Sequence, residues 1–96
     1  MPEVYFDIVW PDGEREVCYS PSSIVKAYFS AGESYDLEEF VDRSRQALNQ
    51  ASDRVRQKYG HPCRLALGQL QTIEEKASHY LDHRNQQVQF LHFQGI

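Results

Sequence analysis

The chain has 96 residues, 41% of them hydrophobic, and ten basic against fourteen acidic residues give it a net charge of −4. That length makes a single domain, 1–96, which buries roughly 60–65% of its unfolded surface, so its core is thin. A globally acidic chain lacks the basic face that phosphate binding demands, no run approaches the ~20 apolar residues of a membrane helix, and no charged-then-apolar leader opens the sequence; the expectation is a cytoplasmic protein with neither nucleic acid nor membrane as partner.

Val4, Phe6, Ile8 and Trp10 alternate with Tyr5, Asp7 and Val9, which predicts a strand with one buried face. Trp10-Pro11-Asp12-Gly13-Glu14 supplies turn chemistry: proline pre-sets φ, and glycine accepts the left-handed conformation that closes a hairpin. Glu14 to Tyr19 returns as a second strand, with Val17 and Tyr19 on one face and Glu16 and Cys18 on the other. Ser20-Pro21 then predicts an N-cap and first helical position. The short helix that follows ends near Tyr28, with Ile24, Val25 and Phe29 as its apolar edge. Ser30 to Tyr35 reads as a loop.

The next helix has the strongest pattern. Asp36 is placed to cap it, Glu39 completes an acidic variant of the capping box, and Tyr35 and Phe40 form the hydrophobic staple. Leu37, Phe40, Val41, Ser44, Ala47, Leu48, Ala51, Val55 and Tyr59 share one face, and Gly60 is a natural stop. His61-Pro62 begins a third helix with Pro62 at its first position. Its stripe is Cys63, Ala66, Leu67, Leu70, Ile73, Ala77, Tyr80 and Leu81. The short connection makes the two helices antiparallel neighbours, and small residues at Ala47, Ala51, Ala66 and Ala77 allow close approach. Asp82 to Gln86 is a polar turn. Val88 to Phe93 is a last strand, with Val88 and Phe90 on one face and Leu91 and Phe93 on the other. The fold class is α+β, order ββ(α)ααβ: a three-stranded sheet (N-terminal hairpin plus C-terminal strand) packed on an antiparallel helix pair.

Each chemical candidate has a structural reading beside it. His79 and His83 stand four apart on a helix, a metal-gripping spacing, but no third ligand is evident, so no metal is expected. Arg43, Arg45, Arg54, Arg56 and Lys58 make the middle helix locally basic; the interleaved Glu38, Glu39, Asp42 and Asp53 predict a solvated face with paired charges rather than a site for an anionic partner. Cys18 lacks a nearby base, and Cys63 lies on the apolar stripe, so two buried, reduced thiols are expected rather than a nucleophile or a disulfide. The glycines are scattered, and no phosphate loop or catalytic triad emerges. No cofactor follows from the residues.

MPEVYFDIVWPDG, CYSPSSIVKAYF, SRQALNQASDRVRQKYG and PCRLALGQL together resemble the small nitrogen-starvation-response protein family encoded in the nitrilase-1 gene cluster of bacteria. The resemblance runs from Met1 to the last strand. It implies an accessory protein of a nitrogen-related pathway whose cluster neighbours include a nitrilase, a radical-SAM protein, an acetyltransferase and a flavin-dependent oxidoreductase. No catalytic residues come with it. The matching blocks mark Trp10, Pro11, Asp12, Gly13, Cys18, Tyr19, Ser20, Pro21, Ser44, Tyr59 and Cys63, while His61 departs from the aromatic or apolar residue expected after Gly60. The resulting expectation is a non-enzymatic accessory or regulatory protein that binds a cluster-encoded protein, or itself as a homodimer through an open sheet edge. The alternative is a small-molecule-binding domain or small enzyme subunit, with a pocket between sheet and helices reached by Cys18, Tyr19, Ser20, Ser44 and Cys63.

Overall fold

Two β-strands, β1 (Val4–Val9) and β2 (Arg15–Ser20), form the expected hairpin in a computed structural model that describes residues 3–80 and 86–95. Trp10 N–H donates to Glu14 O and Gly13 N–H to Trp10 O, both at 2.8 Å, and Gly13 sits at φ 91°, the left-handed conformation the turn requires. Val4, Phe6, Ile8, Trp10 and Cys18 are buried on the helix-covered face.

The sheet has four strands, not three. Ser34–Asp36 is a short strand, β3, that takes the last two residues of the expected loop and the expected cap Asp36; it pairs antiparallel with β4 (Gln87–Gly95), and the order across the sheet is β2-β1-β4-β3. Three residues are too few to carry a period-2 pattern, so only the pairing with β4 reveals them. The element order is therefore ββ, a short 3-10 helix, βααβ. That 3-10 helix is Ser23–Ala27, and its cap is Ser22, whose hydroxyl accepts from Ile24 N–H at 3.3 Å. Ser20, expected as the cap, instead donates from Oγ to Ser22 O at 2.7 Å and holds the strand exit.

Helix α1 (Leu37–Tyr59) buries Leu37, Phe40, Ser44, Ala47, Leu48 and Ala51 as the periodicity predicts, and Gly60 closes it at φ 85°. Two details differ. Asp36 makes no capping bond and Glu39 turns to Arg43 at 2.9 Å, so the capping box does not form. Tyr59 leaves the core and is 59% exposed. Helix α2 (Arg64–Ser78) begins after Cys63, which is its cap and not part of the helical stripe; Pro62, expected at the first helical position, lies outside the helix, and Cys63 is half-buried rather than buried. Leu67, placed on the stripe, is 40% exposed, because the helix seats on Ala66, Leu70, Ile73 and Ala77. The stripe position Leu81, His83 of the histidine pair and most of the polar turn fall outside the described residues.

Strand β4 carries a bulge opposite Asp7 and Ile8: Asp7 faces His92, Ile8 faces Phe90, and Leu91 is the extra residue. The bulge overturns the expected alternation. Phe93 joins Phe90 on the helix side, with ring centroids 4.9 Å apart, and His92 and Gln94 move to the open side. Beneath the helices, Phe29 lies between Tyr35 (5.3 Å) and Phe40 (5.5 Å) and stacks on Phe90 at 4.9 Å. Such offset and edge-on pairs are each worth about 0.5–1.5 kcal/mol beyond their burial.

Candidate functional site

The N-terminal end of α2 is tied down on both sides. Ser52 Oγ on α1 accepts from Cys63 N–H at 3.1 Å, which fixes the turn between the helices. Gln69 Oε1 accepts from Tyr19 N–H at 3.0 Å, so a helix side chain satisfies a backbone donor on the edge strand β2. Further along, Lys76 Nζ meets Glu14 at 2.7 Å. Helix α2 therefore runs beside β2, and the space at its start opens as a set of adjoining clefts.

One of them, about 560 Å³, is lined by Tyr5, Tyr19, Arg64, Leu65, Gly68 and Gln69 together with Glu3 and Thr72. A second, about 200 Å³, lies between Tyr19, Pro21, Val55, Tyr59 and Cys63. Tyr5 and Tyr19 pair across the strands with ring centroids 5.6 Å apart. Burial first, then the Glu3 carboxylate, push the Tyr19 phenol up to about 12, so its hydroxyl stays protonated in neutral solution. Leu65, 67% exposed, borders the first cleft and Tyr59, 59% exposed, the second, which gives the clefts an apolar rim.

A polar cluster occupies the open face of the sheet. Asp7 points away from the helices, yet its side chain is only 2% exposed because Arg15, His92 and Gln94 cover it. Arg15 Nη2 lies 2.7 Å from Oδ2, His92 Nε2 3.3 Å from the same oxygen, and Gln94 Nε2 2.9 Å from Oδ1. The Arg15 hydrogen bond outweighs the cost of burial, and His92 and Gln94 add to it, so the Asp7 carboxyl is held below its ordinary value. Only that single layer of side chains separates it from water.

The five residues expected to converge are divided by the fold. Tyr19 and Cys63 line one cleft. Cys18 and Ser20 are fully buried, and Ser44 is buried on α1 with no hydrogen-bond partner for its hydroxyl among the described residues. Burial, with the Glu16 carboxylate next to it, pushes the Cys18 thiol well up, which suits a core residue and not a nucleophile. His79 caps the C-terminal end of α2 and is exposed.

Sequence reasoning missed Asp7, Arg15, His92 and Gln94: the hairpin brings Arg15 to Asp7, but the bulge that adds His92 and Gln94 leaves no period in the sequence. It also missed Arg64, Leu65, Gly68 and Gln69. The detectable sign there was an apolar residue, Leu65, and a glycine, Gly68, off the buried stripe of a helix.

No curated protein and no solved structure shows a significant match to the chain. A family model does match, over residues 5–93, that of the nitrogen starvation-induced protein NitG. The matched span takes in the hairpin, both helices and β4 through Phe93, nearly the whole of the described fold. The chain belongs to the family of nitrogen starvation-induced protein NitG.

Proposed function

We propose that this protein is a non-enzymatic accessory component of a nitrogen-starvation-linked metabolic gene cluster and acts by binding another protein. The observation that carries the reading is the apolar rim at the open end of the helix pair, where Leu65 (67% exposed) and Tyr59 (59%) stand beside clefts floored by Tyr5 and Tyr19. Large side chains grouped in this way around a concavity characterise surfaces that a partner covers. Pairing of sheet edges, the route to a homodimer expected from the sequence, is narrowed. Gln69 occupies the Tyr19 donor on β2, and the opposite edge strand has three residues.

The test is affinity purification of the tagged protein from nitrogen-starved cells. Recovery of a cluster-encoded enzyme with the parent protein, and its loss with a folded Leu65→Glu, Tyr59→Ser variant, supports the reading. Recovery unaffected by that variant, or no recovery at all, removes it.

A second reading rests on the cleft that joins Tyr19 to Cys63; at about 200 Å³ it is smaller than the roughly 300–1,000 Å³ of drug-sized ligand sites and would take only a small metabolite. Native mass spectrometry of protein purified from starved cells tests it; a protein mass with no retained ligand counts against it.

A further inference from the structure

Charge is distributed unevenly along the helix pair. Residues 33–42 contain five acidic residues and no basic one, whereas residues 54–73 contain four basic residues (Arg54, Arg56, Lys58 and Arg64) and no acidic one. Antiparallel packing keeps these stretches at opposite ends of the pair. At the acidic end charges are met: Glu39 by Arg43 at 2.9 Å, Glu74 by Arg45 at 2.9 Å, and Glu14 by Lys76 at 2.7 Å. At the basic end, among the described residues, no ion pair joins Arg54, Arg56, Lys58 or Arg64. Arg54 reaches only a hydroxyl, Ser22 Oγ at 3.4 Å, and Lys58 lies over its neighbour Tyr59. A chain of net charge −4 thus presents unpaired positive charge where its apolar rim is exposed.

Gly68 adds a second, independent observation. It sits inside α2, where glycine is the poorest helix former after proline. Neither of the usual reasons for a glycine applies: its φ is ordinary, and a Cβ built on it meets nothing within 4 Å. What the missing side chain does is leave the cleft floor open between Leu65, Gln69 and the Tyr5–Tyr19 pair.

We infer that the open end recognises an acidic segment of another protein, which seats one apolar side chain in the cleft beside Gly68 while its carboxylates face Arg56, Lys58 and Arg64. The inference rests on the protein-binding reading and adds the chemistry of the partner. A second copy of this chain is the weaker occupant, because its acidic end is already engaged with Arg43, Arg45 and Lys76. A nucleic acid is weaker too, because backbone binding draws on a continuous basic face, whereas here a few cations stand beside an apolar rim on a chain of net charge −4.

The probes are two synthetic peptides, one glutamate-rich with a single phenylalanine and one with lysines in place of the glutamates, together with a thymidine oligonucleotide. The acidic peptide should shift the amide resonances of Tyr19, Leu65 and Gln69, and its affinity should fall about tenfold on raising salt from ~50 to ~300 mM. Arg56→Glu with Arg64→Glu should cost about tenfold or more. Gly68→Met should weaken binding similarly while raising Tm, since methionine is the better helix former; loss of fold cannot then explain loss of binding. The inference is overturned by equal binding of both peptides, by no binding of the acidic one, by an oligonucleotide that competes as well as the peptide, by concentration-dependent self-association in light scattering, or by unchanged affinity in Gly68→Met. Co-elution from extracts that survives Gly68→Met and the double charge reversal would remove this surface and leave the protein-binding reading intact. Peptide binding without any co-elution would do the reverse.

Discussion

At one end of the helix pair Trp10 packs edge-on against Phe40 and stacks with Tyr80, ring centroids 5.7 and 6.0 Å away, and ion pairs close the surface above them. At the other end Tyr59 and Leu65 stand in solvent among arginines that make no ion pair with the other described residues. The same two helices thus finish in opposite ways. The closed end gathers the aromatic residues and the acid–base matching that hold α1 and α2 on the sheet. The open end spends little on packing, so its side chains are free to be judged by what they contact outside the chain. The difference separates residues that keep the protein folded from residues whose exposure the fold does not require.

Substitutions can break or sharpen that contrast. The largest effect is expected at the closed end: Phe40→Ala should lower unfolding free energy by about 3–5 kcal/mol, measured by urea titration, because it removes a buried ring that contacts Trp10 and Phe29. An equal loss for Tyr59→Ala would erase the contrast. Asp7→Ala, between the two ends, should cost about 1–3 kcal/mol, since Gln94 and His92 lose their acceptor. The pH dependence follows from the sign of the Asp7 shift. Its folded pKa lies below the unfolded value of 3.8, so the stabilisation is complete above that value and is lost as pH falls through the folded pKa. Urea midpoints compared at about pH 5 and about pH 2.5 should show a drop that Asp7→Asn reduces; an unchanged drop means that other carboxylates cause it.

Gly68→Ala should raise stability by about 1 kcal/mol, read as an increase in Tm, and a decrease would mean that the glycine serves the fold after all. The smallest effect belongs to the open rim: Leu65→Ser should change stability by no more than about 0.5 kcal/mol. A larger loss would show the rim to be packed.

The hairpin, the two helices and most core positions were legible in the sequence because each rests on a local rule. Alternation marked Val4 to Trp10, turn chemistry marked Gly13, and a 3.6-residue period marked Leu37 to Ala51. What failed to show were features made by partners distant in sequence. Strand β3 exists because Ser34 to Asp36 meet Gln87 to Gln89, some fifty residues on. Of the candidate site, Tyr19 and Cys63 were named but Leu65 and Gly68 were not. A helix stripe tells which residues can be buried; which of them are buried depends on the surface the helix meets.

Composition, period and turn residues by themselves determined an α+β domain with a buried hairpin face and an antiparallel helix pair, since those depend on neighbours in the chain. The charge segregation was also present in the sequence, as 33–42 against 54–73. Tertiary structure alone decided that the segregation matters, by laying α2 beside β2 through Gln69 and leaving the basic end open. It also decided the Asp7 cluster, because one extra residue in β4 turned His92 and Gln94 to the face on which Asp7 stands. Register and docking are set by contacts summed across the whole fold, and no window of sequence contains them.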